Sequence, residues 1–214
     1  MTSKNNENND CCAKLGRPKD KHKQAAILEA AAYLIVNHGF DGTSMDIVAK
    51  RAGVSKQTVY SHFKNKETLF KEAVAHYSEN VLEFDNIISC EHTTVEQELA
   101  MFATAFVTLT MSGPSIAVNK LVMGQSTNAK KLAKIFHEAG PAVCKANLTQ
   151  LLDTWKNKGK LNIENTQLAV AQFVSLLLGE AHYLTTLGLK STFSEKEKAA
   201  HVQNSVAAFM KIYS

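Results

Sequence analysis

The feature of this sequence that most constrains its fold is the segment from residue 43 to residue 66, TSMDIVAKRAGVSKQTVYSHFKNK. Gly53 divides two short helix-forming stretches, and glycine tolerates the positive φ that a steep turn between helices requires. The residues that can form a shared apolar underside for two crossing helices are Val48, Ala52, Val54 and Val59. The pattern predicts a helix-turn-helix, whose second helix is the one that enters the major groove of DNA.

The second helix of this motif has an unusual outward face. Ser55 is a typical N-cap residue, because its hydroxyl can accept a hydrogen bond from an amide at the start of the helix. The side chains after it that can donate or accept hydrogen bonds are Lys56, Gln57, Thr58, Tyr60, Ser61 and His62. No Asp or Glu occurs from Ala49 to Lys66, as expected of a surface that faces phosphates.

The first helix of the motif has two candidate N-caps. Thr43 is followed three residues later by Asp46, and Ser44 can serve in the same role. A hydroxyl at this helix N-terminus can also reach a phosphate. Thr43 and Ser44 are therefore both candidate DNA contacts.

Basic residues are concentrated in the same part of the chain. From Lys14 to Lys66, ten lysines and arginines stand against four acids and give a net charge of +6, whereas the whole chain carries +4. The remainder is slightly acidic. A basic character confined to one region indicates nucleic acid as the partner.

The region resembles the DNA-binding domain of the TetR family of bacterial transcriptional regulators. The matching positions are 27–31, Leu34, 39–40, 43–44, Ala49, 52–55 and 59–70. Within them, the run Tyr-x-His-Phe-x-x-Lys-Glu-x-Leu-Phe from Tyr60 to Phe70 makes the match specific. Ile35, where the family usually carries Phe, is a departure that concerns local packing.

The resemblance implies a division of roles among these residues. Lys56, Gln57 and Thr58 are expected near base edges, and the Gln57 amide can pair with adenine because it offers a donor and an acceptor together. Tyr60 and His62 resemble the phosphate-contacting pair of the family, unless they are packing residues. Lys66 resembles its phosphate-binding residue at the start of the fourth helix, unless it is a solvated lysine. Arg17 lies in a stretch that resembles the basic arm of many family members, unless it belongs to an untethered tail.

The rest of the chain is predicted to be helical, which gives an all-α fold. Residues 1–16 are expected to form a flexible tail, 17–66 the DNA-binding domain and 67–214 a helical domain for ligand binding and dimerisation. A long fourth helix is predicted from Asn65 to about Cys90. Later helix starts are predicted at Thr93 or Thr94, Ser115, Asn128, Asn165 and Ser194, with Gly140 followed by Pro141 ending one helix before another that runs to Gly159.

The last two predicted helices are more apolar than one buried stripe requires, so a second partner surface is expected. The resemblance implies that this pair forms a four-helix interface in a homodimer. The residues expected there are Leu168, Val174, Leu177, Ala181, Leu184, Val202, Val206 and Phe209. Two recognition helices about 34–36 Å apart, or a multiple of that distance, would then read a palindromic operator.

The second part of the chain also resembles, more loosely, the C-terminal domain of AefR-like regulators, through Asn119-Lys120-Leu121-Val122, residues 136–141 and Gly159-Lys160-Leu161. Gln125 stands where that group commonly has an acid. A largely apolar pocket with a few polar groups is expected in this domain, for an unknown and mainly apolar effector. Its candidate lining residues are Met101, Phe102, Phe106, Met123, Phe136, Trp155, Phe173, Glu180 and Tyr183, and plain core is the alternative for each.

The sequence argues against several other classes of protein. Cys11, Cys12, Cys90 and Cys144 have no Cys-x-x-Cys spacing, and the eight histidines are scattered, so neither a metal site nor a cofactor is expected. The polar N-terminus lacks a signal peptide and no run approaches a membrane span, which predicts a cytoplasmic protein without membrane contact. The expected function is a ligand-responsive repressor. The alternatives are a ligand-independent architectural DNA binder or, with no motif to support it, a helical enzyme.

Overall fold

Ten α-helices make up the regular structure of the residues that this computed structural model describes, which are 21–82, 93–124, 129–190 and 193–214. They are α1 (Lys21–His38), α2 (Met45–Ala52), α3 (Lys56–His62), α4 (Lys66–Leu82), α5 (Val95–Thr110), α6 (Gly113–Met123), α7 (Ala129–Ala139), α8 (Pro141–Asn157), α9 (Thr166–Leu187) and α10 (Glu195–Tyr213). Those ranges contain no strand, and the all-α prediction is confirmed.

Side-chain caps set the starts of most of these helices. Thr94 and Ser194 each form a full capping box, in which the hydroxyl accepts from the third helical amide and the third side chain accepts from the cap amide. The Asn165 side chain accepts from the Leu168 amide and begins α9. All three starts agree with the prediction. The start of α6 does not, because Ser112 is its cap and Pro114 lies in its first turn.

The predicted end of the fourth helix and one predicted helix cap lie outside the described residues, whereas the predicted start of the fourth helix lies within them. Asn65 accepts a hydrogen bond from the Thr68 amide (2.8 Å) and begins α4 as predicted. The described part of α4 ends at Leu82, so the predicted end near Cys90 lies outside it, as does the predicted cap Asn128.

The first four helices share one hydrophobic core, and we call this unit the reading head. Its buried residues are Ile27, Leu28, Ala30, Ala31, Leu34, Met45, Val48, Ala49, Val59, Phe63, Leu69 and Ala73. Leu69 and Ala73 belong to α4, so the first turns of that helix are part of the head. A DNA-binding domain that stops at residue 66 would therefore lose part of its core.

The body, formed by α5 to α10, has a larger core built from aromatic and aliphatic residues of α5, α8, α9 and α10. Phe173 is central to it, with ring centroids 4.8 Å from Phe209 and 6.3 Å from Phe102. One carboxylate is buried there, that of Glu98, which accepts hydrogen bonds from Trp155 Nε1 and Thr93 Oγ1, both at 2.7 Å. Because a buried charge is costly without partners, these two donors explain how Glu98 is accommodated.

The head and the body meet in a third cluster, which we call the joint. Ile35 and Phe40 from the head pack with Phe70 of α4 and Leu132 of α7, and half-buried residues of α6 surround them. The Phe40 and Phe70 rings meet edge to face with centroids 5.6 Å apart. Helix α4 is thus in contact with both units, and any change in the angle between them involves it.

Helix α9 is broken at Gly179, which has φ 49° and ψ −159°. Only glycine readily adopts such a conformation. Two side chains of α10 bind carbonyl groups just before the break: His201 Nε2 lies 2.8 Å from the Leu177 oxygen, and Ser205 Oγ donates to the Leu176 oxygen at 3.3 Å. We attribute these bonds to the break in the helix. It leaves the two carbonyls without the amide donors that a continuous helix would supply, and the side chains of α10 take their place. The sequence prediction of one continuous helix missed this feature.

By length and composition, α9 could cross a membrane, with a mean hydropathy of 1.2 over its most apolar window. The expectation that no run approaches a membrane span was therefore wrong for this helix. A helix of a protein core meets the same criteria, and the buried face of α9 contributes Ala169, Val170, Phe173 and Leu177 to the body core.

Candidate nucleic-acid interface

The turn between α2 and α3 has the geometry that the sequence predicts. Gly53 has φ 67° and ψ 29°, in the left-handed region, and the Val54 amide donates to the Ala49 carbonyl (3.1 Å), which closes the end of α2. Ser55 then caps α3, because its Oγ accepts from the Thr58 amide at 3.1 Å. Val59 is fully buried against the head core. These contacts fix the direction of α3 relative to α2.

The opposite face of α3 lies open to solvent. Gln57, Tyr60 and Ser61 are exposed, and the Gln57 amide has no acidic residue near it in the sequence. Thr58 is half-buried and its Oγ1 lies 2.8 Å from the Ser55 hydroxyl, so the cap engages both of these hydroxyl groups. Of the predicted α3 contacts, Lys56, Gln57, Tyr60 and Ser61 are therefore exposed to a partner.

Lys56 forms an ion pair within the motif that the sequence prediction missed. Its Nζ lies 2.8 Å from a carboxylate oxygen of Asp46, which belongs to the first turn of α2. This hydrogen bond, and then the charge of Asp46, raise the pKa of Lys56 above its usual value. Asp46 lies just before the acid-free stretch, which begins at Ala49, and ten residues before Lys56 in the sequence. Lys56 is exposed but already has an anionic partner.

At the start of α2, the structure separates the two candidate caps. Ser44 is the N-cap, with its exposed Oγ accepting from the Ile47 amide at 3.3 Å. Thr43 is only 2% exposed, and its hydroxyl donates to the Gly39 carbonyl at 2.8 Å. The structure therefore does not support a DNA contact through the Thr43 hydroxyl, because this side chain faces inward. Ser44 stays a candidate.

The two residues predicted to contact phosphates, Tyr60 and His62, differ in how exposed they are. The Tyr60 side chain is 48% exposed, and Lys56 Nζ lies 6.0 Å from its ring centroid. His62 is half-buried at the end of α3, with its ring 6.0 Å from that of Phe63. A surface that touches α3 would reach Tyr60 more easily than His62.

Lys66, the first residue of α4, has a structural contact in addition to its predicted role. Its Nζ donates to the Phe40 carbonyl at 2.8 Å and lies 4.2 Å from the centroid of the Phe40 ring. The ammonium group thus ties the start of α4 to the segment between α1 and α2. This bond uses one of the three N–H groups of the ammonium, so two are left for other acceptors such as a phosphate.

The predictions for the N-terminal segment lie outside the described residues. They are the tail 1–16 and the basic-arm residue Arg17, together with Cys11 and Cys12. Arg17 therefore stays a prediction. Cys144 is buried, and burial raises the pKa of its thiol to about 11. Among the residues that the structure describes, no three His, Cys, Asp or Glu side chains are grouped as metal ligands.

The predicted ligand-pocket residues do not come together. Phe102, Phe106, Trp155 and Phe173 lie in the packed core of the body, whereas Met101, Met123, Glu180 and Tyr183 lie on its surface. The four core residues are packed because large apolar side chains at helical spacing fill a core before they line a cavity. None of the eight borders the cavity that the described residues form, and their assignment to a ligand pocket stays a prediction. Phe136 is different, because it borders a cavity of about 530 Å³ between α1, α4, the start of α6 and α7. The cavity therefore lies at the joint.

Half of the predicted dimer-interface residues are also core residues. Leu177, Val202, Val206 and Phe209 are at most 6% exposed within a single chain, so they offer little surface to a second copy. Val174, Ala181 and Leu184 are half-buried, and Leu168 is 52% exposed. The outward face of α9 instead carries small residues at successive turns, Ala171, Ser175 and Gly179. That of α10 includes Ala200, Ala207 and Ile212.

The all-helical fold, the capped helix-turn-helix and the exposed polar face of α3 define a DNA-binding transcriptional regulator. Residues 27–73 match the family model of bacterial regulatory proteins of the tetR family, and residues 97–214 match the C-terminal domain of AefR-like transcriptional repressors. The chain belongs to the TetR family, which confirms both resemblances. Members of this family are transcriptional regulators, so the chain is not an enzyme.

Several relatives support this assignment over most of the chain. The uncharacterized HTH-type transcriptional regulator YdeS of Bacillus subtilis (strain 168) is 28% identical over 171 residues, which is 80% of this chain and 82% of YdeS. A TetR-family protein of known structure from Mesorhizobium loti MAFF303099 is 27% identical, with a TM-score of 0.76 over 91% of this chain and 98% of that one. The flavonoid-responsive regulator FrrA is also 27% identical, with a TM-score of 0.69 over the same shares.

Proposed function

We propose that this TetR-family regulator is a cytoplasmic, ligand-responsive repressor that binds a palindromic operator as a homodimer. The observation that carries the DNA-binding part is the exposed face of α3 on a helix whose direction is fixed by the Gly53 turn and the Ser55 cap. The match to AefR-like repressors supports repression. Because bacterial operators lie in the cytoplasm, a protein that binds one is expected to be cytoplasmic.

Base reading and positioning fall to different residues in this proposal. Gln57, the exposed side-chain amide of α3, reads a base edge, and a bidentate pair with adenine is the geometry that suits it. The positioning group contacts phosphates and comprises Ser44, Ser55, Thr58, Tyr60, Ser61, His62 and Lys66. Arg17 adds a contact from the N-terminal arm. Contacts to phosphate set register and affinity, whereas base contacts set specificity.

Lys56 has a particular place in the proposal because of its ion pair with Asp46. On binding, the Lys56 ammonium exchanges the Asp46 carboxylate for a DNA acceptor. An exposed ion pair contributes little stability, so this exchange costs the free protein little. At a DNA sequence that offers Lys56 no acceptor, Lys56 stays paired with Asp46 and adds nothing to binding, whereas the Asp46 carboxylate still repels phosphate. This difference between DNA sequences sharpens specificity.

The homodimer is proposed to form through the outward faces of α9 and α10. Small residues such as Ala171, Ser175 and Gly179 allow two helices to approach closely. Leu168 and Ile212, both more than half exposed, extend this face with larger apolar side chains. Two copies related by a two-fold axis would each present one α3 to successive turns of the major groove.

The domain assignment follows the same logic. We assign residues 17–66 together with the first turns of α4 to DNA binding, and the rest to ligand binding and dimerisation, with 1–16 as a tail. A small molecule that favours one spacing of the two reading heads shifts the equilibrium by its differential affinity for the two states. A coupling of roughly 1–3 kcal/mol changes operator affinity about 5–150-fold. The flavonoid-responsive relative supports a small-molecule effector of this kind.

The decisive experiment selects bound DNA from a random pool and then measures affinity for the selected site and for its single-base variants. Gln57→Ala is expected to lose about 1–3 kcal/mol of discrimination at particular base pairs. Tyr60→Phe, which removes one hydroxyl, is expected to weaken binding to all sequences alike. Gln150→Ala, the same substitution at an exposed site on α8, is the matched control and should change nothing.

A selection that returns no palindrome, with affinity governed by salt alone, would favour the architectural alternative. If Gln57→Ala weakens every sequence equally while the variant keeps its helical content, the reading role of Gln57 is wrong.

A further inference from the structure

The cavity at the joint has a buried apolar floor and an exposed polar rim. The floor is formed by Leu28, Ile35, Phe70 and Ala73, each at most 5% exposed. The rim on α1 is formed by exposed residues at successive turns, Glu29, Tyr33 and Asn37, and that on α4 by His76 and Asn80. A volume of about 530 Å³ with this arrangement is typical of sites for small organic molecules.

We propose that this cavity binds an apolar, preferably aromatic, small molecule that is neutral or carries one positive charge, and that it is the effector site of the regulator. The inference rests on the ligand response proposed above, and it places the site at the joint instead of within the body core.

The charge of the ligand follows from the lining. Glu29 is the acid among the described lining residues, and none of them is Lys or Arg. The Arg51 guanidinium lies close by, but it stacks on the Tyr33 ring and is not part of the described lining. An anionic ligand would therefore meet the Glu29 carboxylate with no lining Lys or Arg to offset it, and such like-charge contacts are unfavourable. Tyr33, Tyr77 and Phe136 supply aromatic rings, which attract both flat apolar molecules and cations.

The position of the cavity links a ligand to the DNA-binding motif. The guanidinium of Arg51, in the last turn of α2, lies 3.3 Å from the centroid of the Tyr33 ring, which borders the cavity. Phe70 of the floor packs on Phe40, whose carbonyl holds Lys66. A ligand that contacts α1 on one side and α6 and α7 on the other has an affinity that depends on the angle between head and body. Ligand binding and head orientation are thereby coupled.

The site is tested by fluorescence titration of the full chain with three dyes: neutral Nile red, cationic rhodamine 6G and anionic 1-anilinonaphthalene-8-sulfonate. Saturable binding of the first two is expected, with at least tenfold weaker binding of the anion. Ala32→Phe, which places a ring in the cavity, should weaken both at least tenfold. Ala146→Phe, the same substitution at an exposed position of α8, should not. Equal effects of the two substitutions would overturn the site.

A milder pair of variants tests the charge argument even if Ala32→Phe folds poorly. Glu29→Gln should weaken rhodamine 6G about fivefold and leave Nile red unchanged. Glu79→Gln, on the exposed face of α4 outside the lining, should alter neither. Unchanged rhodamine 6G binding in Glu29→Gln, or anion binding as tight as that of the cation, would overturn the proposed ligand class.

Operator affinity, measured with and without Nile red, separates the site from the function. If Nile red weakens operator binding by the native chain and leaves operator binding by Ala32→Phe unchanged, the result supports both the site and its effector role. If Nile red binds in the cavity without changing operator affinity, the effector role is wrong and the site stands. If a compound from a screen releases the operator equally from the native chain and from Ala32→Phe, the ligand response stands and the cavity is not its site.

Discussion

The reading head and the body differ in how a helix finds its orientation. In the head, α3 has seven residues, buries Val59 on one side and presents polar side chains on the other. In the body, α9 has 22 residues and more apolar side chains than its buried face accommodates, so Leu168, Tyr183 and Leu187 lie outside. A short helix between two caps is oriented by its local sequence. A long apolar helix is oriented by its neighbours.

The largest test of this difference concerns which apolar residues of α9 are core. Leu177→Ala is expected to lower the free energy of unfolding by about 2–5 kcal/mol, because it opens a cavity beside Phe173 and Phe209. Leu187→Ala, the same change at a half-exposed position at the end of α9, should cost roughly 0.5 kcal/mol or less. Urea denaturation at fixed protein concentration measures both. Similar losses from the two variants would contradict the burial of Leu177.

The next effect concerns the outward face of α9. Ser175→Arg places a like charge on both copies where two helices are proposed to approach, and should raise the dimer dissociation constant roughly thirtyfold, about 2 kcal/mol. Thr154→Arg is the control. Thr154 is exposed on α8, and its hydroxyl donates to the carbonyl four residues earlier, as that of Ser175 does. Sedimentation equilibrium should show no effect of Thr154→Arg. An unaltered dimer in Ser175→Arg would exclude this face.

The smallest effect tests whether local capping orients α3. Ser55→Ala removes the side chain that accepts from the Thr58 amide and should destabilise the protein by about 1 kcal/mol. Ser61→Ala, in the same helix, removes only a hydroxyl that donates to the Thr58 carbonyl, and should be neutral or slightly stabilising. The midpoint of urea unfolding distinguishes them. Equal midpoints would mean that packing of Val59, and not the cap, determines the start of α3.

The sequence was sufficient where the determining contacts are local. The Gly53 turn, the Ser55 cap and the capping boxes at Thr94 and Ser194 each depend on residues within a few positions. It was insufficient where the partner is distant in the sequence. The Lys66 ammonium binds the Phe40 carbonyl, and Glu98 is satisfied by Trp155. Neither contact leaves a local pattern.

For one physical reason, the sequence could not separate the predicted pocket and the predicted interface from plain core. Large apolar residues identify a helix that is buried somewhere, but they do not say whether its own chain, a ligand or a second copy covers them. Phe102, Phe173 and Leu177, for example, are covered by their own chain in the body core. The exposed residues that α9 leaves for a second copy combine small side chains, such as Ala171 and Ser175, with the larger Leu168. The cavity lies beside α1 and α4, outside the body core.

The break at Gly179 restricts how the body can move. Because His201 and Ser205 hold the carbonyls of Leu177 and Leu176, sliding α9 along α10 by one turn would rupture both bonds together. Helices α9 and α10 consequently behave as one rigid unit with a fixed mutual register. In a dimer built on this unit, each copy would present one rigid pair of helices to the other. If the interface between the copies keeps its geometry, a change in the distance between the recognition helices comes from rotation of each head about α4.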